Sequence, residues 1–506
     1  MPCDLSNQQL DYMESILNEI IQPQLKARIA DFLWTYSSPK DIQNLQVAVE
    51  NYMTINLCNE YFQPDIYDFW HRAAFLAKST NQDLLITEIT EKLLNELKNS
   101  SIDWHFHKLK IAEILSSTKI NDNCMIDAIN ILTSEIEKFN NVEFFSESEQ
   151  YLKFIIEYFR SKRDLNELYK YTSVLAEKFE HQGDIKQKES SMVATHFYKL
   201  ALNYYREIPN KYRAEFNVDA SLGRLNSKIV EVGKLIPNEL KLISTESIDI
   251  SELQSQSRDH VKHKETVLET LMYFSGVTSI VNYENYMRDT KENIKNSIFS
   301  QIGGFTAISS DGREIEKIPP LSDDNQDEVL LKTAIKNHAI KMKISTEARI
   351  IPALQQIWQE HIIPKDLLIE LCRLSKIVLE KREILTANAL YQGFDGDFRT
   401  AIYLLAPQVE NMVRQLLKSE GVTTTTIGTD DIEHEIGLSS LLDKPEAKDI
   451  LGNDWWFELQ AVFSSSLGPN LRNEVGHGLL DDEKSNSIYS VYAWWMIFRW
   501  IIHNID

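Results

Sequence analysis

Glycine and proline are scarce in this chain, 16 and 13 of 506 residues, and so few backbone breakers imply long helices rather than short strands joined by tight turns. Cysteine is scarcer still. The four present, Cys3, Cys58, Cys124 and Cys372, form no CxxC pair, which argues against zinc ligation and a disulfide framework and fits a reducing cytosol. Basic residues are outnumbered, 53 against 75 acidic for a net charge of −22. The molecule as a whole therefore repels nucleic acid and anionic membranes, and any nucleic-acid site has to be local. The start, MPCDLSNQQL, lacks the basic flank and apolar run of a secretory leader. The one stretch resembling a membrane span, IYSVYAWWMIFRWII from Ile488 to Ile502, is shorter than the ~20 residues a span needs and contains Arg499, so it reads as a buried final helix. Also missing are HExxH, a Walker loop, a GxSxG elbow and a dinucleotide glycine fingerprint, which sets aside the enzymes built on them.

What remains is 43% hydrophobic and 25% charged, in a chain long enough for two or three domains. From the start to residue 242 the pattern is a succession of amphipathic helices. In HFYKLALNYYREI, Phe197, Ala201, Tyr205 and Ile208 fall on one helical side. Pro209 and Asn210 end it, and KYRAEFNVDASLGRLNSKIVEVGKL is expected to return as a second helix, a hairpin of the kind that stacks into arrays. No strict repeat period is visible. Residues 243–326 change composition twice and read as a connection: a polar stretch, a helix, a small hairpin turning at Asp311-Gly312, and a linker beginning at Pro319-Pro320. Helical periodicity then resumes over 327–506. The expected fold class is all-α: an N-terminal helical array, a connection with one small β-hairpin, and a C-terminal helical bundle.

One stretch in that bundle carries an unusual set of polar groups. NLRNEVGHGLL, Asn470 to Leu480, places Arg472, Asn473 and His477 among glycines after Gly468-Pro469. Asn470 is suited to cap a new helix. Four apart, Asn473 and His477 share a helical face, whereas Arg472 and His477 point about 140° apart at 3.6 residues per turn. They converge only if the backbone leaves regular helix, which Gly476 and Gly478 make cheap. A guanidinium offers fixed donors to phosphate oxygens, and an imidazole titrates near neutrality and can take a proton from a ribose 2′-hydroxyl or return one to the 5′-oxygen. Asparagine suits holding the ring tautomer or binding phosphate. The same spacing also fits a capping and ion-pairing cluster at a helix start.

NLRNEVGHG resembles the RNxxxHG signature of the DUF4209 domain family, which belongs to the HEPN superfamily of helical RNases. The preceding block ALYQGFDGDFRTAIYLLAPQVENMVRQLLKSEGV, Ala389 to Val422, is similar to that family's segment before the motif. LKARIADFLW near the start resembles the helical regions that precede the domain in relatives. The resemblance implies metal-independent RNA cleavage without a cofactor, at a homodimer interface in the C-terminal domain. Arg472 and His477 are the implied catalytic pair, with Asn473 as the polar residue after the arginine, and the product carries a 2′,3′-cyclic phosphate. It also implies a bacterial defence or toxin-type role in the cytoplasm, with a regulatory or antitoxin protein as a further partner and no membrane.

Other candidates stand beside the motif, each with a plainer reading. Glu410 and Arg414, four apart, either hold the motif's arginine or histidine in orientation or make an intrahelical ion pair worth ~0.5 kcal/mol. Lys332, Lys336 and Lys343, with Lys341 close by, form either a local groove for RNA or a solvated face. The pairs His105/His107 and His260/His263, with Asp103 and Asp259 nearby, lack a clear ligand set for zinc. The tryptophans flanking the motif either stack on bases or pack in the core. Two rivals to the ribonuclease follow: a catalytically silent helical scaffold that binds RNA or a protein partner, and a metal-dependent nuclease using the scattered histidines.

Overall fold

The computed structural model describes residues 6–57, 65–100, 102, 104–118, 122–139, 144–241, 247–298, 303–429 and 431–505. Cys3, Cys58 and Asp103 lie outside them. The chain is helical nearly throughout and divides into two compact units, Met1–Lys241 and Leu242–Asp506.

The first unit is a run of helices packed largely on their neighbours in sequence, the longest being Leu165–Lys186, followed by Ser191–Arg206. Asp164 caps the former by accepting from the Glu167 N–H at 3.3 Å, and Ser190 caps the latter through the Val193 N–H at 3.4 Å. Such side chains satisfy amides that helix starts leave bare. The stripe read from the sequence faces inward: Ala201, Tyr205 and Ile208 are buried. The return segment is not one helix. It breaks at Asn217, whose φ of +51° separates Asn210–Arg213 from Val218–Gly233. A left-handed asparagine is cheap enough to divide a helix where periodicity continues across it.

In the second unit the closing helix Ile488–Ile502 is the axis: twelve of its fifteen residues are buried, so it is core on all sides. Around it pack Phe398–Ser419, Gln326–Ser345 and Glu383–Phe394. Among the described residues no helix is long and apolar enough to cross a membrane.

Residues 243–326 are not a free connection, which corrects the boundary expected at 327. Ser251–Val261 and Val267–Ser275 belong to the second unit, and Val261, Leu271, Phe274, Val277 and Val281 join its core. Trp495 Nε1 donates to the Phe274 carbonyl at 3.0 Å and Arg499 Nη1 to that of Ser275 at 2.6 Å. The polar composition that suggested a linker is the solvent face of these helices. The expected hairpin forms, Phe305–Ile308 antiparallel to Glu314–Ile318 with Gly312 at φ +83°. A second was not expected. Within the Thr-rich segment, Thr425–Ile427 pairs antiparallel with Glu433–Glu435, because β-branched threonines favour extended backbone.

Candidate functional site

The motif occupies a short helix, Leu471–Gly476, entered through a crossing that only glycine allows. A widened π turn, Gln460–Ser464, precedes it, and a Cβ on Gly468 would lie 1.9 Å from the Ala461 carbonyl oxygen of that turn. Contact so close to fixed backbone excludes any side chain. Asn470, at φ +51°, makes no side-chain cap to the helix. Its Oδ1 instead accepts from Asn473 Nδ2 at 2.8 Å. At the far end Leu479 N–H reaches the Glu474 carbonyl at 2.8 Å and Gly478 N–H that of Val475 at 3.1 Å, with Gly478 at φ +64°. This is a Schellman closure.

The backbone therefore stays helical up to His477 and does not kink the two candidates together. Arg472 turns to Glu410 on the Phe398–Ser419 helix: its Nε donates to Glu410 Oε2, and its Nη1 lies 3.4 Å from Asn473 Oδ1. His477 is exposed. Among the described residues no hydrogen bond or ion pair joins it to Arg472.

Glu410 is the hub of this site. Besides Arg472 it accepts from Arg414 Nη2 at 2.7 Å and from the Leu438 N–H at 3.2 Å. Arg414 Nη2 also donates to the Ile436 carbonyl at 2.7 Å. The side chains of Glu410 and Arg414 are 13% and 12% exposed, that of Arg472 30%. Burial works against the Glu410 charge, but the hydrogen bonds from Arg414 and Arg472 outweigh it and hold the carboxyl below its ordinary range. The unexpected second hairpin backs this hub. Glu435 takes a hydrogen bond from Lys418 and lies 3.1 Å from Arg414 Nε, without the alignment of a hydrogen bond. The intrahelical pair and the tie to the motif arginine, read from the sequence as alternatives, coexist on one carboxylate.

Beside the motif lies a cleft of about 570 Å³. Its walls are the tip of the Phe305–Ile318 hairpin, with Arg313, and the motif segment, with Asn470 and Glu474; Lys484 and Tyr489 also line it. Arg472, Asn473 and His477 do not. Sequence reading missed this cleft because its walls lie some 150 residues apart along the chain.

The lysines read as either an RNA groove or a solvated face are not a free cationic row. Lys332 is 2.9 Å from both Glu316 and Glu328. Lys336 lies over the Phe305 ring at 4.6 Å and Lys341 over Tyr286 at 5.8 Å, and burial pushes both ammonium pKa values down. Lys343 is exposed. The same helix carries a group the sequence reading passed over: His338 Nε2 meets Glu458 Oε2 at 2.9 Å, both side chains fully buried. Tyr492 donates to Glu458 at 3.1 Å and the Val281 N–H at 2.9 Å. Burial opposes the Glu458 charge, yet His338 and these donors keep its pKa below the ordinary value. The signal was a lone carboxylate inside the apolar run WWFELQAVF.

The histidine pairs do not converge on a metal. His107 is buried between Tyr67 Oη at 2.7 Å and Glu96 at 3.1 Å, while His105 packs edge-on against Phe139 and Phe144. His260 meets the Tyr273 carbonyl at 3.0 Å, and His263 lies 3.5 Å from Glu360. Among the described residues no group of three or more His, Cys, Asp or Glu side chains is gathered to hold an ion. The tryptophans pack in the core: Trp456 donates to the Leu442 carbonyl at 2.8 Å, Trp494 to that of Leu390 at 3.0 Å, and Trp455 stacks on Trp500 at 5.0 Å.

A family model described as Domain of unknown function (DUF7380) matches residues 1–88. That segment lies wholly in the first unit and ends far before the motif. Among curated proteins none matches the chain.

Proposed function

We propose that the chain is a metal-independent, HEPN-type endoribonuclease of bacterial antiviral defence or of the toxin type. A ribose 2′-oxygen attacks the adjacent phosphorus as the P–O5′ bond breaks, leaving a 2′,3′-cyclic phosphate and a 5′-hydroxyl. His477 takes the 2′-proton or protonates the leaving 5′-oxygen, and Arg472 stabilises the added negative charge on the phosphorane-like transition state. The observation that carries this reading is the anchoring of Arg472. Glu410 holds its Nε edge, while Nη2 makes no hydrogen bond among the described residues. A guanidinium fixed through Nε and Nη1 holds its remaining donor, Nη2, in a set position.

Because Arg472 and His477 do not meet within one chain, the reaction calls for a second copy, whose histidine supplies the partner acid or base. The test compares RNA ends in cells expressing wild type, His477→Ala and Arg472→Ala, together with cleavage by the purified protein in EDTA. Cyclic-phosphate ends seen only with wild type, and cutting that survives EDTA, support the proposal. Equal inertness of three folded proteins under activating conditions sinks it.

One observation favours a second reading, a silent scaffold binding RNA or protein: the charge of Arg472 is already matched by Glu410, as in a purely structural pair. That reading expects both alanine variants to keep their full biological effect.

A further inference from the structure

We propose that the cleft between the Phe305–Ile318 hairpin and the Leu471–Gly476 helix holds one nucleotide of single-stranded RNA beside the bond that is cut. The inference rests on the ribonuclease reading and adds where the strand lies. At about 570 Å³, the cleft falls within the roughly 300–1,000 Å³ of small-ligand sites. It lies along the motif helix, with Leu471 and Glu474 turned into it and Arg472 turned away toward Glu410.

Its hairpin wall is fixed. Glu316 accepts from Ser466 Oγ, in the loop leading to the motif, at 2.8 Å and from Lys332 at 2.9 Å. Burial opposes the Glu316 charge, and these bonds outweigh it. On that wall Arg313 is aimed by Asp311, which takes its Nε at 2.8 Å and leaves the terminal nitrogens without a hydrogen bond among the described residues. Lys484, which also lines the cleft, has no carboxylate partner among them. Asn470 spends its Oδ1 on Asn473, so its Nδ2 remains as a donor.

Three donors thus face one space, with the Tyr489 ring beside them and Glu474, which has no ion-pair partner among the described residues, as an acceptor. A nucleotide uses the whole set: phosphate oxygens on Arg313, Lys484 and Asn470, the base against the Tyr489 ring, and a base amino or sugar hydroxyl donating to Glu474. Inorganic phosphate would meet Glu474 as a like charge. An apolar ligand would strand the cations.

The experiment uses the full chain carrying His477→Ala and a fluorescein-labelled twelve-nucleotide single-stranded RNA, with binding read by anisotropy across a salt series. Arg313→Ala and Lys484→Ala are each expected to weaken binding by about three- to tenfold and to reduce the salt slope by about one. Tyr489→Leu is expected to weaken binding and leave the slope unchanged. Lys343→Ala, outside the cleft, is expected to bind as the parent does. RNA binding that is absent from the parent, or within twofold of it in folded Arg313→Ala and Lys484→Ala, overturns the proposal. RNA held through the cleft yet never cut by the His477-intact chain under activating conditions removes the ribonuclease reading and leaves the cleft. His477-dependent cutting with normal binding by the cleft variants does the reverse.

Discussion

At Glu410 a single carboxylate serves two arginines that come from different parts of the chain, and substitutions there separate structure from chemistry. Glu410→Gln retains the shape but loses the charge that fixes Arg472. If the chain cuts RNA as proposed, a misplacement of that kind is expected to lower the cleavage rate by about a hundredfold with KM little changed. A double-mutant cycle on Glu410 and Arg472, read by urea unfolding, is expected to give a coupling of about 0.5–3 kcal/mol whether or not the protein cuts RNA. Half of this hub was legible in the sequence. Glu410 and Arg414 are one helical turn apart, and helical spacing reveals neighbours of that kind. Arg472 lies 62 positions away, and no local pattern reports a contact made by folding. The same holds for His338 and Glu458, 120 positions apart. Removing the carboxylate takes from the buried His338, Tyr492 and Val281 N–H the acceptor they share, so Glu458→Gln is expected to cost about 1–3 kcal/mol in chemical unfolding. The pKa values of Glu410 and Glu458 are depressed in the folded state. Their contribution is therefore complete above the unfolded glutamate value of about 4.3 and disappears as pH falls through the lower folded values. Stability measured from pH 7 to pH 3 should drop in that acid window, and less so in Glu458→Gln.

At the scale of elements, periodicity identified the helices because apolar stripes must face a core, and it failed where a single backbone conformation cuts a helix. Asn217 is such a point. The Thr-rich segment shows another limit: its β-branched threonines favour extended backbone, but Lys418 and Arg414, which anchor Glu435 of the hairpin, lie outside it. Two close approaches give predictions for whole elements. A Cβ on Gly393 would lie 2.1 Å from Trp494 Nε1 in the core. Gly393→Ala is expected to destabilise the second unit by about 1–3 kcal/mol through overpacking, visible as a lower melting temperature. At Gly468 the obstacle is the Ala461 carbonyl. Gly468→Ala should displace the motif helix, with hydrogen exchange rising in 465–480 before it rises in Ile488–Ile502.

For the whole molecule, each unit has its own core, with Tyr151, Tyr198 and Tyr205 buried in the first and Trp494 and Trp495 in the second. The sequence boundary at residue 242 falls at this division; what the polar stretch after it concealed is that the segment belongs to the second unit, since a helix that shows water one face and the core another has the average composition of a linker. If each cleavage site combines two copies, mixing His477→Ala with Arg472→Ala should restore part of the activity that neither variant has alone. Specific activity should also rise with protein concentration. Mixed variants as inert as either alone, in a preparation shown to exchange subunits, would count against composite sites.

Glu435 stands in water with 45% of its side chain exposed, whereas Glu410 is at 13%. Dissolved ions reach the first and are largely kept from the second, since screening acts over about 10 Å at 0.1 M and only on charges the solvent can approach. Concentrated salt should therefore loosen the threonine hairpin from Lys418 and Arg414 while the grip on Arg472 persists. The brace would yield to its surroundings before the hub it supports.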